Sequence, residues 1–158
     1  MEASRDFLQL WHHTTADWHL RRRYVLSHAG SDQFYRVRRG DTVWAVTVYP
    51  PGELVLLGRL RVGELTGYEG AKARLGTNDV WEAKYHIIAE SGTEELLREV
   101  DLMDLAGDIR FVSKVNDRLN LTDGLVKAQQ LQTMRELATE SASMLGEKWS
   151  GNQAATRR

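Results

Sequence analysis

Residues 41–62, DTVWAVTVYPPGELVLLGRLRV, form the densest apolar run of the chain, and the rest reads as cover or attachment for it. Val43, Trp44, Val46, Thr47, Val48 and Tyr49 are mostly β-branched or aromatic, the side chains that pack best on a pleated, half-buried surface. Pro50-Pro51-Gly52 interrupts them. Proline lacks an N–H and restricts φ, and glycine accepts φ > 0, so the interruption predicts a turn and the whole a β-hairpin. In the second strand, Leu56, Gly58, Leu60 and Val62 are expected on one face and Leu57, Arg59 and Arg61 on the other. Gly58 implies a bend or the close approach of another backbone. A hairpin this apolar has to be the middle of a larger sheet.

Around the hairpin the pattern breaks into short elements. Residues 6–11, DFLQLW, alternate as a strand with Phe7, Gln9 and Trp11 on one face. Thr15 or Asp17 is expected to cap a short helix carrying Arg21, Arg22 and Arg23. Residues 24–27 predict a strand, 28–32 a loop, and 33–38 a helical turn or two. The segment 64–79 mixes glycines with Lys72 and Arg74, a composition more often functional than idle in a compact domain. Residues 83–90 predict a strand. Leu96, Leu97, Val100 and Met103 suggest a short helix over 93–104, and residues 109–115 a further strand before a turn at Asn116-Asp117. Beyond a candidate cap at Thr122 or Asp123, Leu131, Met134 and Leu137 or Ala138 recur at helical spacing. Thr139 opens a last helix with Ala142, Leu145 and Trp149 on one side, where Trp149 suits either the core or a dimer contact. The sum is a single α+β domain over residues 1–150, a small mixed β-barrel of five to six strands flanked by helices, with residues 151–158 as a frayed tail.

Composition narrows the chemistry. The 158 residues suffice for one domain with a real core. Apolar and charged fractions of 42% and 27% are ordinary globular values. With no cysteine there are no disulfides, thiol nucleophiles or thiolate metal sites. No apolar run is long enough for a membrane span, and MEASRDF lacks the basic-then-apolar order of a signal peptide, so a cytoplasmic protein is expected. The net charge of −1 conceals an asymmetry: residues 1–75 hold 11 Lys and Arg against 8 Asp and Glu, the remainder 10 against 14. The basic excess gathers at Arg21–Arg23, at Arg36, Arg38 and Arg39, at Arg59 and Arg61, and at Lys72 and Arg74, a distribution that permits a polyanion partner.

No catalytic motif is present: there is no P-loop, no G-x-G-x-x-G and no G-x-S-x-G. His12, His13 and His19 lack the spacing of a metal site, and no cofactor is expected. The aromatic content says more. Of five tryptophans, Trp44 suits a core strand, whereas Trp11, Trp18 and Trp81 lie beside polar, basic or glycine-rich segments. Such a tryptophan offers a flat surface on which a base can stack while Lys and Arg neutralise phosphates.

FLQLWHHTT, YVLSHAGSDQFYRVRRGDTVWAV, LLGRLRV, DVWEAKYHIIAE and QLQTMRELATESASMLGEKW together resemble the PUA-like superfamily, in particular bacterial EVE and YTH-like domains, over most of residues 6–149. The resemblance implies a non-enzymatic reader that holds a flipped or single-stranded modified base in an aromatic cage. By that likeness Trp11, His12 and His13 border the pocket, Ser27 stands for the serine of a Trp-Ser pair, and Trp81 coincides with the second cage tryptophan. Asn116 and Asp117 fall where the base edge is contacted. Leu26 replaces the first cage tryptophan, so Trp11 or Tyr49 has to supply that wall, which favours a smaller base; 5-methylcytosine in DNA is the leading expectation. Arg21, Arg22, Arg23, Arg36, Arg38, Arg39, Lys72 and Arg74 would contact phosphates. The alternatives are an RNA-binding module of the same fold and a nucleoside-processing enzyme using the same pocket. A nuclease effector on a separate chain and a homodimer are both compatible with this reading.

Overall fold

The computed structural model describes residues 3–156. In chain order it runs β1 (Asp6–Trp11), α1 (His13–Arg21), β2 (Val25–Leu26), β3 (His28–Gly30), a 3-10 turn (Asp32–Arg36), β4 (Thr42–Tyr49), β5 (Glu53–Thr66) and α2 (Tyr68–Leu75). There follow β6 (His86–Ala89), β7 (Glu95–Leu96), β8 (Val100–Asp101), a 3-10 turn (Ala106–Asp108), β9 (Leu121–Thr122), β10 (Leu125–Val126), a 3-10 turn (Ala128–Leu131), β11 (Arg135–Glu136) and α3 (Thr139–Thr156). Among the described residues no helix is long and apolar enough to cross a membrane.

The β4–β5 hairpin is the centre of a seven-stranded sheet in the order β11-β1-β4-β5-β6-β3, with β8 also paired to β5. β1 lies parallel to β4, from Asp6 opposite Thr42 to Trp11 opposite Thr47, and the other pairings are antiparallel. The end strands β11 and β3 do not pair with one another, so the sheet is open and the expected barrel is not formed. What stands is a mixed α+β domain with three α-helices among the described residues.

The hairpin forms as the apolar run predicts, but one face assignment fails. The register slips between Ala45 and Val46: Ala45 faces Gly58, and Val46 faces Leu56, leaving Leu57 as an extra residue. A bulge of this kind reverses the alternation beyond it. Leu54 and Leu56 therefore enter one core cluster with Trp44, Val46, Leu145 and Trp149, while Leu57, Leu60 and Val62 enter another with Phe7, Phe34 and Ile87. At Gly58 the space a side chain would need is taken by Leu97 and Leu26, 2.9 and 3.1 Å from an ideal Cβ, so side chains and not a backbone make the close approach.

Four further expectations are corrected. Residues 93–104 are not a helix but carry β7, paired to β2, and β8, paired to β5. Residues 109–115 contribute two isolated bridges, Arg110 to Arg118 and Phe111 to Leu137, instead of a strand. The stretch from Thr122 is a β9–β10 hairpin turning on Asp123 and Gly124, both at positive φ, followed by the last 3-10 turn and β11. Asp-Gly between β-prone pairs is a strong hairpin signal, and it overrides the helical spacing of Leu131, Met134 and Leu137. The loop read over residues 28–32 likewise holds β3, paired to β6. α3 behaves as the pattern indicates: Leu145 and Trp149 are fully buried, which assigns Trp149 to the core. Its indole Nε1 donates to Glu95 Oε2 at 2.9 Å, and the Arg98 guanidinium covers the ring at 3.6 Å. The helix continues to Thr156, and the last two residues of the expected tail lie outside the described residues.

Candidate functional site

A cleft of ≈ 380 Å³ opens where β1 ends and α1 begins. Leu10, Trp11, His12 and His13 form one wall, Val48 with Pro50, Pro51 and Gly52 another, and Val126, Lys127, Ala128 and Gln129 the third. Its first wall is built locally. The Thr47 hydroxyl donates to the Trp11 carbonyl at 2.8 Å and secures the end of β1. The chain then turns because His12, in extended conformation, caps α1: its Nδ1 accepts the Thr14 N–H at 3.2 Å. This corrects the expected cap at Thr15 or Asp17. A backbone N–H only donates, so Nδ1 is the accepting nitrogen and the neutral His12 ring carries its proton on Nε2. His13 stacks on His12 with ring centroids 4.5 Å apart. Trp11 is half-buried, its Nε1 donating to Gln9 Oε1 at 3.3 Å and its ring 5.4 Å from that of His19.

The second and third walls meet at Gly52. Its carbonyl accepts the Val126 N–H at 2.9 Å, and an ideal Cβ on it would stand 2.8 Å from both Leu125 Cβ and the Val126 carbonyl oxygen. Only glycine lets the Pro50–Gly52 turn and the β9–β10 hairpin press together here.

The other residues singled out from the sequence are dispersed. The Tyr49 hydroxyl donates to Asp17 Oδ1 at 2.9 Å; burial first, then this bond and the neighbouring acids, hold its pKa far above the ordinary phenol value. Tyr49 thus ties α1 onto β4, with its ring 6.4 Å from His13. Ser27 accepts the Ala89 N–H on its carbonyl, toward the β3–β6 edge. There His28 Nε2 and His86 Nδ1 lie 2.9 Å apart, and His86 Nε2 reaches the Ala83 carbonyl at 3.1 Å. Trp81 is 73% exposed in the segment between α2 and β6. Trp11 pairs with Thr47, itself opposite Val55 near the start of β5, whereas β6, which begins five residues after Trp81, starts opposite Thr66 at the far end of that strand. From Val55 to Thr66 is about 35 Å of strand. Trp81 does not line the cleft. Asn116, at positive φ, gives its carbonyl to Arg135, and Asp117 sits beside Arg118 at 3.4 Å.

The basic residues divide in the same way. Arg21, Arg22 and Arg23 are exposed at the far end of α1, with the Arg22 guanidinium 3.7 Å over the Trp18 ring. Arg36 is engaged inside the fold: it donates to the Met134 carbonyl at 2.9 Å and lies over Phe7. Arg38 and Arg39 are exposed at the corner before β4. Lys72 contacts Glu69 at 3.4 Å and Arg74 contacts Glu64 at 2.7 Å, both on or beside α2. Among the described residues no group of three or more His, Asp or Glu is disposed to hold a metal ion.

Sequence reasoning missed Pro50, Pro51 and Gly52 as a wall, and with them Lys127 and Gln129, which it assigned to a helix. The Asp123-Gly124 pair was the signal that would have found the latter. No family model matches the chain, and no curated protein matches it significantly.

Proposed function

We propose that the protein is a non-enzymatic, cytoplasmic reader of a modified nucleobase in DNA, 5-methylcytosine first, which takes the flipped base into the Trp11–His13 cleft. One observation carries this reading. Trp11, His12, His13 and Lys127 are among the residues lining a cleft of ≈ 380 Å³ whose remaining lining is largely apolar: Leu10, Val48, Pro50, Pro51 and Val126. That size lies within the range of about 300–1,000 Å³ usual for small-ligand clefts. In this reading Trp11 would supply a stacking face, His12 Nε2–H a donor to the base edge, and Pro51 or Val48 an apolar contact for a methyl group. Contact with one methyl discriminates by roughly 1–3 kcal/mol. Extruding a base costs a few kcal/mol, which phosphate contacts offset. The helix whose first turn lines the cleft ends in the exposed Arg21–Arg23, about 13 Å away, a span of a few nucleotides. The PUA-like resemblance points the same way, with the cage revised: Trp81 is no part of it. The cutting activity that such a reader serves belongs, in this reading, to a nuclease on another chain.

The test is a fluorescence-polarisation titration with matched duplexes, unmodified, 5-methylcytosine and N6-methyladenine, and an RNA counterpart. The 5-methylcytosine duplex is expected to bind about 5- to 150-fold more tightly than the unmodified one. Trp11→Ala should abolish that preference and Trp81→Ala should leave it. Equal affinity for all four would remove the reading, and a preference for RNA would transfer it to an RNA-binding module.

A further inference from the structure

Resting on the nucleic-acid reading above, we propose that the loop of residues 112–116 is a wedge that enters a base step of the bound duplex, with Val115 and Val112 as the inserted side chains. The two valines are 71% and 60% exposed, among the most exposed large apolar side chains described. Their display is not the result of a loose loop. The Val112 N–H donates to the Glu136 carbonyl at 2.9 Å and the Phe111 N–H to the Asp117 carbonyl at 2.8 Å. The Ser113 hydroxyl closes the tip by bonding the Val115 carbonyl and accepting the Val115 N–H, and Arg135 holds the Asn116 carbonyl. A tip whose polar groups are satisfied this thoroughly, yet which leaves two β-branched side chains in water, is preorganised to bury them against something else.

The flanks identify the partner by charge. Lys114 lies between the valines, and Arg110, Arg118 and Arg135 surround the base of the loop. Asp117, the acid within the turn, is beside Arg118. An apolar tip in a ring of cations suits a stacked polyanion, where the cations meet phosphates and the apolar side chains replace base–base stacking. Position supports the pairing with the cleft. The loop is anchored to β11, whose Arg135 is opposite Leu8 on β1, and the cleft begins at Leu10 and Trp11 on the same strand. That offset is about 7–10 Å, or two to three base steps. The wedge would therefore act beside the flipped base, where the stack is already broken.

The experiment compares the wild-type protein with the Val112→Ser/Val115→Ser variant on a duplex carrying one 5-methylcytosine, with a fluorescent adenine analogue at neighbouring steps as a reporter of unstacking. Because both side chains are solvent-exposed, the variant should melt with the wild type. The wild type is expected to raise reporter fluorescence several-fold at one step. The variant should lose most of that rise and bind about tenfold more weakly. An equal rise in wild type and variant, or wild-type binding with no rise at any step, would overturn the wedge while leaving the base-reading cleft standing. Failure of the wild type to bind any duplex would remove both.

Discussion

At the scale of single residues, the pair His28 and His86 has the clearest consequence. His86 is fully buried, and its Nε2 bond to a carbonyl makes Nε2 the donor and Nδ1 the acceptor for His28. Burial, and then the neighbouring His86, bring the His28 pKa down to about 4 from the usual 6.5. Burial also lowers that of His86. The unfolded chain therefore binds protons between pH 6.5 and 4 that the folded chain does not, so stability is full above about 6.5 and declines as pH falls toward 4. Denaturant midpoints measured from pH 7.5 down to 4.5 should fall for the wild type, and His28→Asn should flatten that slope. A wild-type midpoint independent of pH in this window would contradict the arrangement.

At the scale of elements, the cleft depends on two turns pressed together. Adding a methyl group at Gly52 forces Leu125 and the Val126 backbone away and strains a residue whose φ is 153°. Gly52→Ala is expected to cost about 1–3 kcal/mol, read as a fall of several degrees in the melting temperature, and to weaken methyl discrimination by widening the cleft. A variant that melts with the wild type would show that the two turns are not in this contact. How much of this was legible in the sequence differs from element to element. β1, the central hairpin and α3 announce themselves by period, and the hairpin also by Pro-Pro-Gly, all local signals. β7, β8 and β11 are two residues each, too short for any period to show, and exist only because β2, β5 and β1 offer them partners.

At the scale of the whole molecule, charge decides how the domain would meet a polyanion. If the proposed reading holds, Arg21, Arg22 and Arg23 with Lys127 would make about four phosphate contacts, with an expected slope near −3.6 in log affinity against log salt. Arg23→Ala should make that slope shallower by about 0.9. Arg36→Ala should lower stability instead, because its guanidinium holds the Met134 carbonyl. An affinity that does not change with salt would dismiss phosphate contacts altogether. The candidate site was legible in part: Trp11, His12 and His13 do border one cleft, but Trp81, Ser27 and Asn116 belong to other regions of the surface. A resemblance aligns positions along a chain, and a strand of about 35 Å can hold two such positions apart.

Local chemistry in the chain determined the hairpin, its turn, the first strand and the last helix, because β-branched runs, prolines and amphipathic spacing act over a few residues at a time. Only the tertiary structure decided that the sheet stays open, that Leu57 is bulged so that Leu56 and Leu60 part company, and that Trp149 closes the core. It also brought Gly52 against Val126 to shape the cleft. Each of these depends on which distant segment arrives as a partner, and pairing between remote segments leaves no period in the sequence.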